Sequence, residues 1–367
     1  MARGEEMTAA VSIAAQAGVG VLVWGPPGVG KSSAIAAMAG HLDWHVEALV
    51  GSVREASDFG GLPMRGERGV VLAAPAFAYR IIDADAAGRR SVLFLDELTT
   101  ATPSVQAAML RVVLDRVVGD VALPASTAIV AAANPGDLAA DGHDLAPALA
   151  NRFCHLDWAL DAGAWAAGMV GGWAGASVPS LPEDWQDGLP RWRARVAAFV
   201  SHRPELLHAL PPGVEAQSRA WPSPRSWDMT TRVCAAAEAA DPDGAAVVDL
   251  LIGCVGEGPA TEYLEWLDHA DLPDPEALLA DPGLLPVPGR GDLVHAALGS
   301  VVAAVAARLT RERWEAAWAV LGQARQARHG DVAAVAARPL MGLRRQGWPV
   351  PQSVDGFAPI LTAAGLL

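Results

Sequence analysis

Short apolar runs, each closed off by glycine, proline or charge, recur through the first 160 residues. Val19–Trp24, Ser91–Leu95 and Ala128–Ala133 are almost wholly apolar, the pattern of strands buried on both faces of a parallel sheet. His45–Val50 and Phe153–Trp158 are further strands of the same kind. Between them lie segments with helical periodicity at Ser32–Ala39, Ala76–Ala86 and Pro103–Val113, the last with proline in its first turn. Arg54–Pro75 is glycine-rich, with two short strand pieces around Arg65-Gly66-Glu67. Val117-Val118-Gly119-Asp120-Val121 reads as a tight hairpin turning at glycine. Strands alternating with helices predict an α/β fold with a parallel sheet up to residue 158.

Beyond that point the strand signal stops. Helices are predicted at Ala162–Val170, Trp192–His202, Arg225–Ala239, Ala245–Cys254 and Thr261–His269. A Pro/Gly-rich stretch, Asp281–Gly291, then reads as a linker. Leu293–Leu309, Glu312–Ala327 and Val332–Leu343 follow as a helical extension. The expected division is therefore an α/β domain over 1–158, an all-helical domain over 159–285 and a C-terminal helical extension over 286–367.

Composition narrows the class. The chain has 367 residues, 52% hydrophobic, enough for more than one buried core. Its formal charge of −14 makes a dedicated grip on phosphate backbones a poor expectation. Three cysteines at 154, 234 and 254, with no CxxC, speak against a thiolate zinc site and for a reducing compartment, so a cytoplasmic location is expected. Neither a secretion signal nor an apolar run of membrane-spanning length is read. One count stands out: among 27 basic residues, Lys31 is the sole lysine. A position kept for an ammonium wants a compact point charge that a guanidinium fork does not supply.

Lys31 closes Gly25-Pro26-Pro27-Gly28-Val29-Gly30-Lys31-Ser32, a GxxxxGK[ST] loop directly after a strand and before a helix, with Ser33 in the same turn. Its glycines let the backbone wrap phosphates, and its amides face the anion at a helix N-terminus. Lys31 would reach the β- and γ-phosphates of ATP, and the Ser32 hydroxyl would ligate Mg²⁺. Val92–Glu97 is an apolar strand ending in two acids, with Asp96 suited to the magnesium shell and Glu97 to polarising an attacking water. Asn134 ends the fourth strand, where an amide can hold that water. Arg152 precedes the fifth strand and is a candidate arginine finger. Ser223-Pro224-Arg225 reads as the cap and first turn of a helix that would present Arg225 toward a γ-phosphate. For each arginine taken alone, a surface salt bridge is the competing reading.

GPPGVGKS, LFLDE, AAANP, NRF and SPR, in this order and on these elements, resemble an AAA+ ATPase. Asp96–Leu110 and Asp58–Pro63 are similar to the MoxR-type branch. Val255–Glu257 through Leu272–Pro282 resembles members encoded beside von Willebrand factor A-like proteins. The resemblance covers 19–158 and, less closely, 159–285. It implies a P-loop domain followed by a helical lid, and a homo-oligomeric ring, usually a hexamer, with ATP between subunits. One subunit would supply Lys31, Ser32, Asp96, Glu97, Asn134 and Arg225, and its neighbour Arg152. It implies a chaperone-like activity on a protein client, including metal or cofactor insertion with a von Willebrand A-domain partner. The hairpins Leu62–Val71 and Val117–Leu123 are candidates for moving that client. A nucleic-acid-dependent motor of the related helicase branch is the alternative, and a small-molecule P-loop kinase a third reading.

Overall fold

Five of the apolar runs pair into one all-parallel sheet, in the order His45–Val50, Ser91–Asp96, Ala128–Ala133, Gly20–Trp24 and Phe153–Asp157. The computed structural model describes residues 3–135, 143–171, 178–240, 246–269, 272–286 and 291–366. The elements of its first part are α1 (Arg3–Gln16), β1 (Gly20–Trp24), α2 (Lys31–His41), β2 (His45–Val50), α3 (Ser57–Gly60), β3 (Leu62–Gly66), β4 (Gly69–Ala73), α4 (Ala76–Ala86), β5 (Ser91–Asp96) and α5 (Pro103–Asp115). Then come β6 (Val117–Val118), β7 (Val121–Ala122), β8 (Ala128–Ala133), α6 (Pro147–Ala150) and β9 (Phe153–Asp157). β1, β5 and β8 are central, and all the described β1 and β8 residues except Gly20 are buried. That is why these strands read as unbroken apolar runs rather than as alternation. Helix α1 is not anticipated by the pattern; its Ala10, Ile13 and Ala14 are fully buried.

The two hairpins form as expected, β3 with β4 and β6 with β7. Their close packing depends on glycine: a Cβ at Gly61 would lie 2.7 Å from the Gly119 Cα, and one at Gly119 2.5 Å from the Leu72 carbonyl oxygen.

The remaining described elements are helical: α7 (Ala162–Gly171), α8 (Leu189–His202), α9 (Val214–Gln217), α10 (Pro224–Ala240), α11 (Ala246–Val255), α12 (Glu257–His269), α13 (Pro275–Ala280), α14 (Gly291–Ala307), α15 (Arg311–Gln326), α16 (Gly330–Gly342) and α17 (Ala358–Ala363). An α/β P-loop fold with a helix-rich C-terminal part is thus what the chain adopts. Of the linker expected at Asp281–Gly291, residues 287–290 lie outside the described residues. Among the described residues no helix is long and apolar enough to cross a membrane.

Packing divides the chain into two compact units, Met1–Trp185 with His208–Ala260, and Gln186–Leu207 with Thr261–Leu367. The grouping differs from the divisions at 158 and 285 read from the pattern, because sequence order and packing order diverge. α10 and α11 pack in the sheet unit. α11 approaches β9 so closely that a Cβ at Gly253 would lie 2.4 Å from the His155 carbonyl oxygen. In the second unit α8 lies against α14, where a Cβ at Gly299 would lie 2.7 Å from the Ala194 Cβ. The core of that unit is built on Trp314, Trp318, Leu321 and Phe357.

The three cysteines, far apart in sequence, are buried free thiols that gather where β9 meets α10 and α11. The Cys154 thiol is pushed well above its ordinary value by its hydrogen bond with Cys254 and by burial. Beside it, His155 joins β9 to β1: the Trp24 indole N–H donates to His155 Nδ1 at 2.9 Å, and His155 Nε2 donates to the Ala150 carbonyl at 2.9 Å. Burial lowers the His155 pKa to about 4. In the unfolded chain the same ring binds its proton near 6.5. Between those values the unfolded state holds more protons, so stability is fully present above about 6.5 and falls as the pH drops toward about 4. The full effect is about 3 kcal/mol. Thermal melts from pH 7.5 to 4 are expected to fall more steeply for the wild type than for His155→Gln; parallel curves would show that this ring does not set the acid limb.

Candidate functional site

The three central strands bring their C-terminal ends side by side. β1 pairs with β8 up to Trp24 and Ala133, and β8 pairs with β5 up to Ala131 and Leu95. The loop after β1, the acids at the end of β5 and Asn134 after β8 are therefore neighbours because of the strand order, although they are far apart in sequence.

The loop is shaped for an anion. Gly28 and Gly30 have φ of 80° and 93°, a region costly to residues with a Cβ. No side chain caps the N-terminus of α2, which leaves its first amides facing the loop. Lys31 is only 7% exposed, and its ammonium donates to the carbonyls of Gly25 (2.6 Å) and Pro26 (2.9 Å) and to Asn134 Oδ1 (3.0 Å). Burial lowers its pKa and the nearby Asp96 charge opposes that. Three acceptors around a half-desolvated ammonium are the environment that phosphate oxygens replace.

Ser32 Oγ donates to Asp96 Oδ2 at 2.7 Å. The hydroxyl and the carboxylate are hard oxygen donors placed together, the donor chemistry that Mg²⁺ prefers. Asp96 Oδ1 also accepts the Glu97 amide at 2.9 Å, which fixes its second oxygen. Glu97 itself is held in a left-handed conformation, φ 55°, uncommon for a residue with a side chain. Its carboxylate accepts a hydrogen bond from Ser52 Oγ, and its carbonyl accepts from Thr100 Oγ1 at 2.8 Å. Asn134 is pinned through its backbone: Thr99 Oγ1 donates to its carbonyl at 3.2 Å and accepts its amide at 3.3 Å. Lys31, Ser32, Asp96, Glu97 and Asn134 are thus brought together at one strand edge.

Ser52, Thr99 and Gly51 were not legible as site residues. A Cβ at Gly51 would lie 3.0 Å from the Glu97 carbonyl oxygen, so the glycine admits the turn that carries Glu97. A lone serine or glycine in a loop carries no periodic signal, and only the pairing of β2 with β5 places them here.

Of the two arginines, Arg225 departs from the expectation. β9 runs parallel to β1, with Phe153 beside Gly20 and Asp157 beside Trp24. Arg152, just before Phe153, therefore sits at the N-terminal end of the sheet, about 13 Å of strand away from the phosphate loop's end. Arg225 is at that same remote end, which corrects its expected place beside Lys31 in the same chain. The reason is the anchoring of α10. Ser223 Oγ donates to Asn151 Oδ1 at 2.6 Å, and Asn151 Nδ2 donates to the Trp221 carbonyl at 3.0 Å, which ties the helix start to the residue before Arg152. Arg152 is held by a hydrogen bond from Nη1 to the Ala148 carbonyl. Burial and then the Arg225 charge lower its pKa, with Asp115 opposing. Arg219 does reach the phosphate-loop end, packed over the Trp24 ring at 4.3 Å and paired with Asp157 at 2.8 Å.

Residues 20–153 match the family model of the AAA domain, dynein-related subfamily. An AAA domain implies ATP binding, in keeping with the loop described above. No curated protein matches the chain in sequence. Among solved structures, a candidate ATPase from Cytophaga hutchinsonii is 18% identical with a TM-score of 0.42, over 63% of this chain and 73% of that one. A full-length MCM homologue from Methanopyrus kandleri is 19% identical with a TM-score of 0.33, over 71% of this chain; the match spans 54%, about half, of that protein.

Proposed function

We propose that the AAA domain at 20–153 makes this chain a MoxR-type AAA+ ATPase, which hydrolyses ATP between the copies of a homo-oligomeric ring to remodel or activate a protein client. The observation that carries the reading is the separation of the two halves of the site. Lys31, Ser32, Asp96, Glu97 and Asn134 lie at the C-terminal ends of β1, β5 and β8, while Arg152 and Arg225 lie at the other end of the sheet. One chain does not offer both halves to one phosphate. A neighbouring copy does, so Arg152 and Arg225 together act on the nucleotide next door.

In this reading Lys31 exchanges its carbonyl and amide acceptors for phosphate oxygens. Ser32 and Asp96 would hold Mg²⁺, which would supply charge neutralisation on the phosphates. Glu97, aimed by Ser52 and its own turn, takes the proton of the attacking water, and Asn134 orients that water. The client is a protein, with a von Willebrand A-domain protein as the partner class. The protein client rests on the likeness of Asp58–Pro63 and Asp96–Leu110 to the MoxR-type branch and on the β3–β4 hairpin, and the partner class on the likeness of Val255–Glu257 through Leu272–Pro282 to members encoded beside von Willebrand factor A-like proteins. There Leu62, Met64 and Val70 are 59%, 56% and 74% exposed, beside Arg65, Glu67 and Arg68.

Lys31 tests the nucleotide assignment. Lys31→Ala is expected to lose about tenfold to a hundredfold in ATP affinity, the worth of a charge-assisted contact. Lys31→Arg is also expected to bind poorly, since a planar fork does not fit the seat of three acceptors around Nζ. Fluorescent-nucleotide titration measures both, and gel filtration with and without ATP reads the assembly. Unchanged affinity in both variants would remove the phosphate-loop assignment.

A further inference from the structure

The N-terminal end of the sheet carries a row of arginines in a chain of net charge −14. Arg90 precedes β5, Arg116 follows α5, Arg152 precedes β9, and Arg225 and Arg232 sit two turns apart on α10. Arg90 Nε donates to the Ser126 carbonyl at 3.3 Å, and Arg116 Nη1 donates to the next carbonyl, Thr127. The row therefore runs from β5 past β8 toward β9.

Arg116 is the member least explained by the fold. Among the described residues it has no carboxylate partner, and its one side-chain acceptor is a neutral carbonyl. The charges that face it are Arg232 and Arg90, both of its own sign. Of these, Arg232 is shared with Asp228, at 3.2 Å. Arg116 is also held in the left-handed region at φ 53°, with its amide bonded to the Val112 carbonyl and its own carbonyl accepting the Leu123 amide at 2.7 Å. A side chain other than glycine, Asn or Asp sits there at a cost. Beside its acceptor residue Thr127 lies Ser91, and among the described residues the buried hydroxyls of both, 1% and 2% exposed, have no hydrogen-bond partner, nor do the buried Nε atoms of Arg152 and Arg232. Arg116, facing two charges of its own sign with no carboxylate of its own among the described residues and lying beside unmet polar atoms, is unfavourably placed until an anion arrives.

We propose that Arg116 is a third trans-acting cation: together with Arg152 and Arg225 it contacts the phosphates of the nucleotide bound to the adjacent copy of this chain. This rests on the ring reading above. The cap fixes the Arg116 backbone and the Thr127 carbonyl holds its guanidinium before the anion arrives, so little ordering is left for the moment of reaction. Arg90 and Arg232 supply field rather than contact. Arg90 is turned onto the Trp44 ring, 4.6 Å from its centroid, and Arg232 is partly neutralised by Asp228.

The test uses the full chain as Arg116→Gln and Arg116→Lys, with Arg89→Gln, an exposed arginine paired with Asp43, as the charge control. Arg116→Gln is expected to bind ATP as the wild type does and to lose about tenfold to a hundredfold in turnover. Arg116→Lys is expected to fall between the two. Mixing Arg116→Gln with Lys31→Ala before assembly is expected to restore activity, because some interfaces then pair an intact loop with an intact arginine. Wild-type turnover of Arg116→Gln would overturn the proposal and leave the ring reading standing. Recovery with the Arg152→Ala and Lys31→Ala pair, but not with the Arg116→Gln pair, would make Arg116 a structural residue of its own subunit. If neither pair recovers, the ring reading falls and the proposal with it. If Arg116→Gln does not fold, Arg116→Lys decides by the same mixing experiment. Stimulation of the wild type by single-stranded DNA or RNA at low salt, lost in the Arg116 variants, would assign the row to a nucleic acid instead.

Discussion

Arg152→Ala is expected to keep ATP binding at its own phosphate loop and to lose about 10³–10⁵ in turnover, the range of trans-acting arginines in phosphoryl transfer. The expectation follows from position. Arg152 stands at the N-terminal end of β9, beside Phe153, while the loop of the same chain begins at the other end of the paired strand β1. Its removal leaves Lys31, Ser32 and Asp96 untouched. Lys31→Ala fails for the complementary reason, since its own loop is impaired and its Arg152 is intact. Each variant alone is expected to be nearly inactive, and a mixture assembled together to regain phosphate release. Recovery on mixing has no explanation in a monomer. Wild-type turnover of Arg152→Ala alone would make the arginine structural, a role its hydrogen bond to the Ala148 carbonyl already offers.

Glu97→Gln is the second large effect. The variant is expected to bind ATP with normal affinity and to hydrolyse it about 10²–10⁴-fold more slowly, the usual worth of a general base. Gln keeps the shape of the side chain and an oxygen to accept from Ser52, so the turn at φ 55° and the Ser32–Asp96 pair are left in place. What it loses is the ability to take a proton. Single-turnover phosphate release, measured beside nucleotide titration, separates the two effects. Near-normal turnover would remove Glu97 from the mechanism. Because it stays loaded with ATP, the same variant is the form to use for retaining a protein client in a pull-down.

How much of this was legible depends on the range over which each feature is decided. Strands buried on both faces announce themselves as apolar runs, and the loop after the first of them needs glycine at 28 and 30 for its left-handed turns, so the α/β sheet and the phosphate loop were readable from local pattern. The acids at 96 and 97 were readable because they end such a strand. α1 was missed because its alanine-rich segment, RGEEMTAAVSIAAQ, shows little contrast between its faces. Ser52, Thr99 and Gly51 were missed because nothing local marks them; the pairing of β2 with β5 brings Gly51 and Ser52 to Glu97, and that of β5 with β8 brings Thr99 to Asn134.

Chain order gave no guide to which helices join which core, because α10 and α11 fold back on β9 while α8 goes with α14. It likewise placed Arg225 beside Lys31, as a helix following a nucleotide domain suggests. Asn151, Ser223 and Trp221 decide otherwise by tying the start of α10 to the far end of the sheet. Sequence by itself determined the chemistry available to this protein: one ammonium, a phosphate loop, two acids and an amide at strand ends. Only the tertiary structure decided which groups share one end of the sheet, because strand order and parallel register set the end at which each side chain emerges.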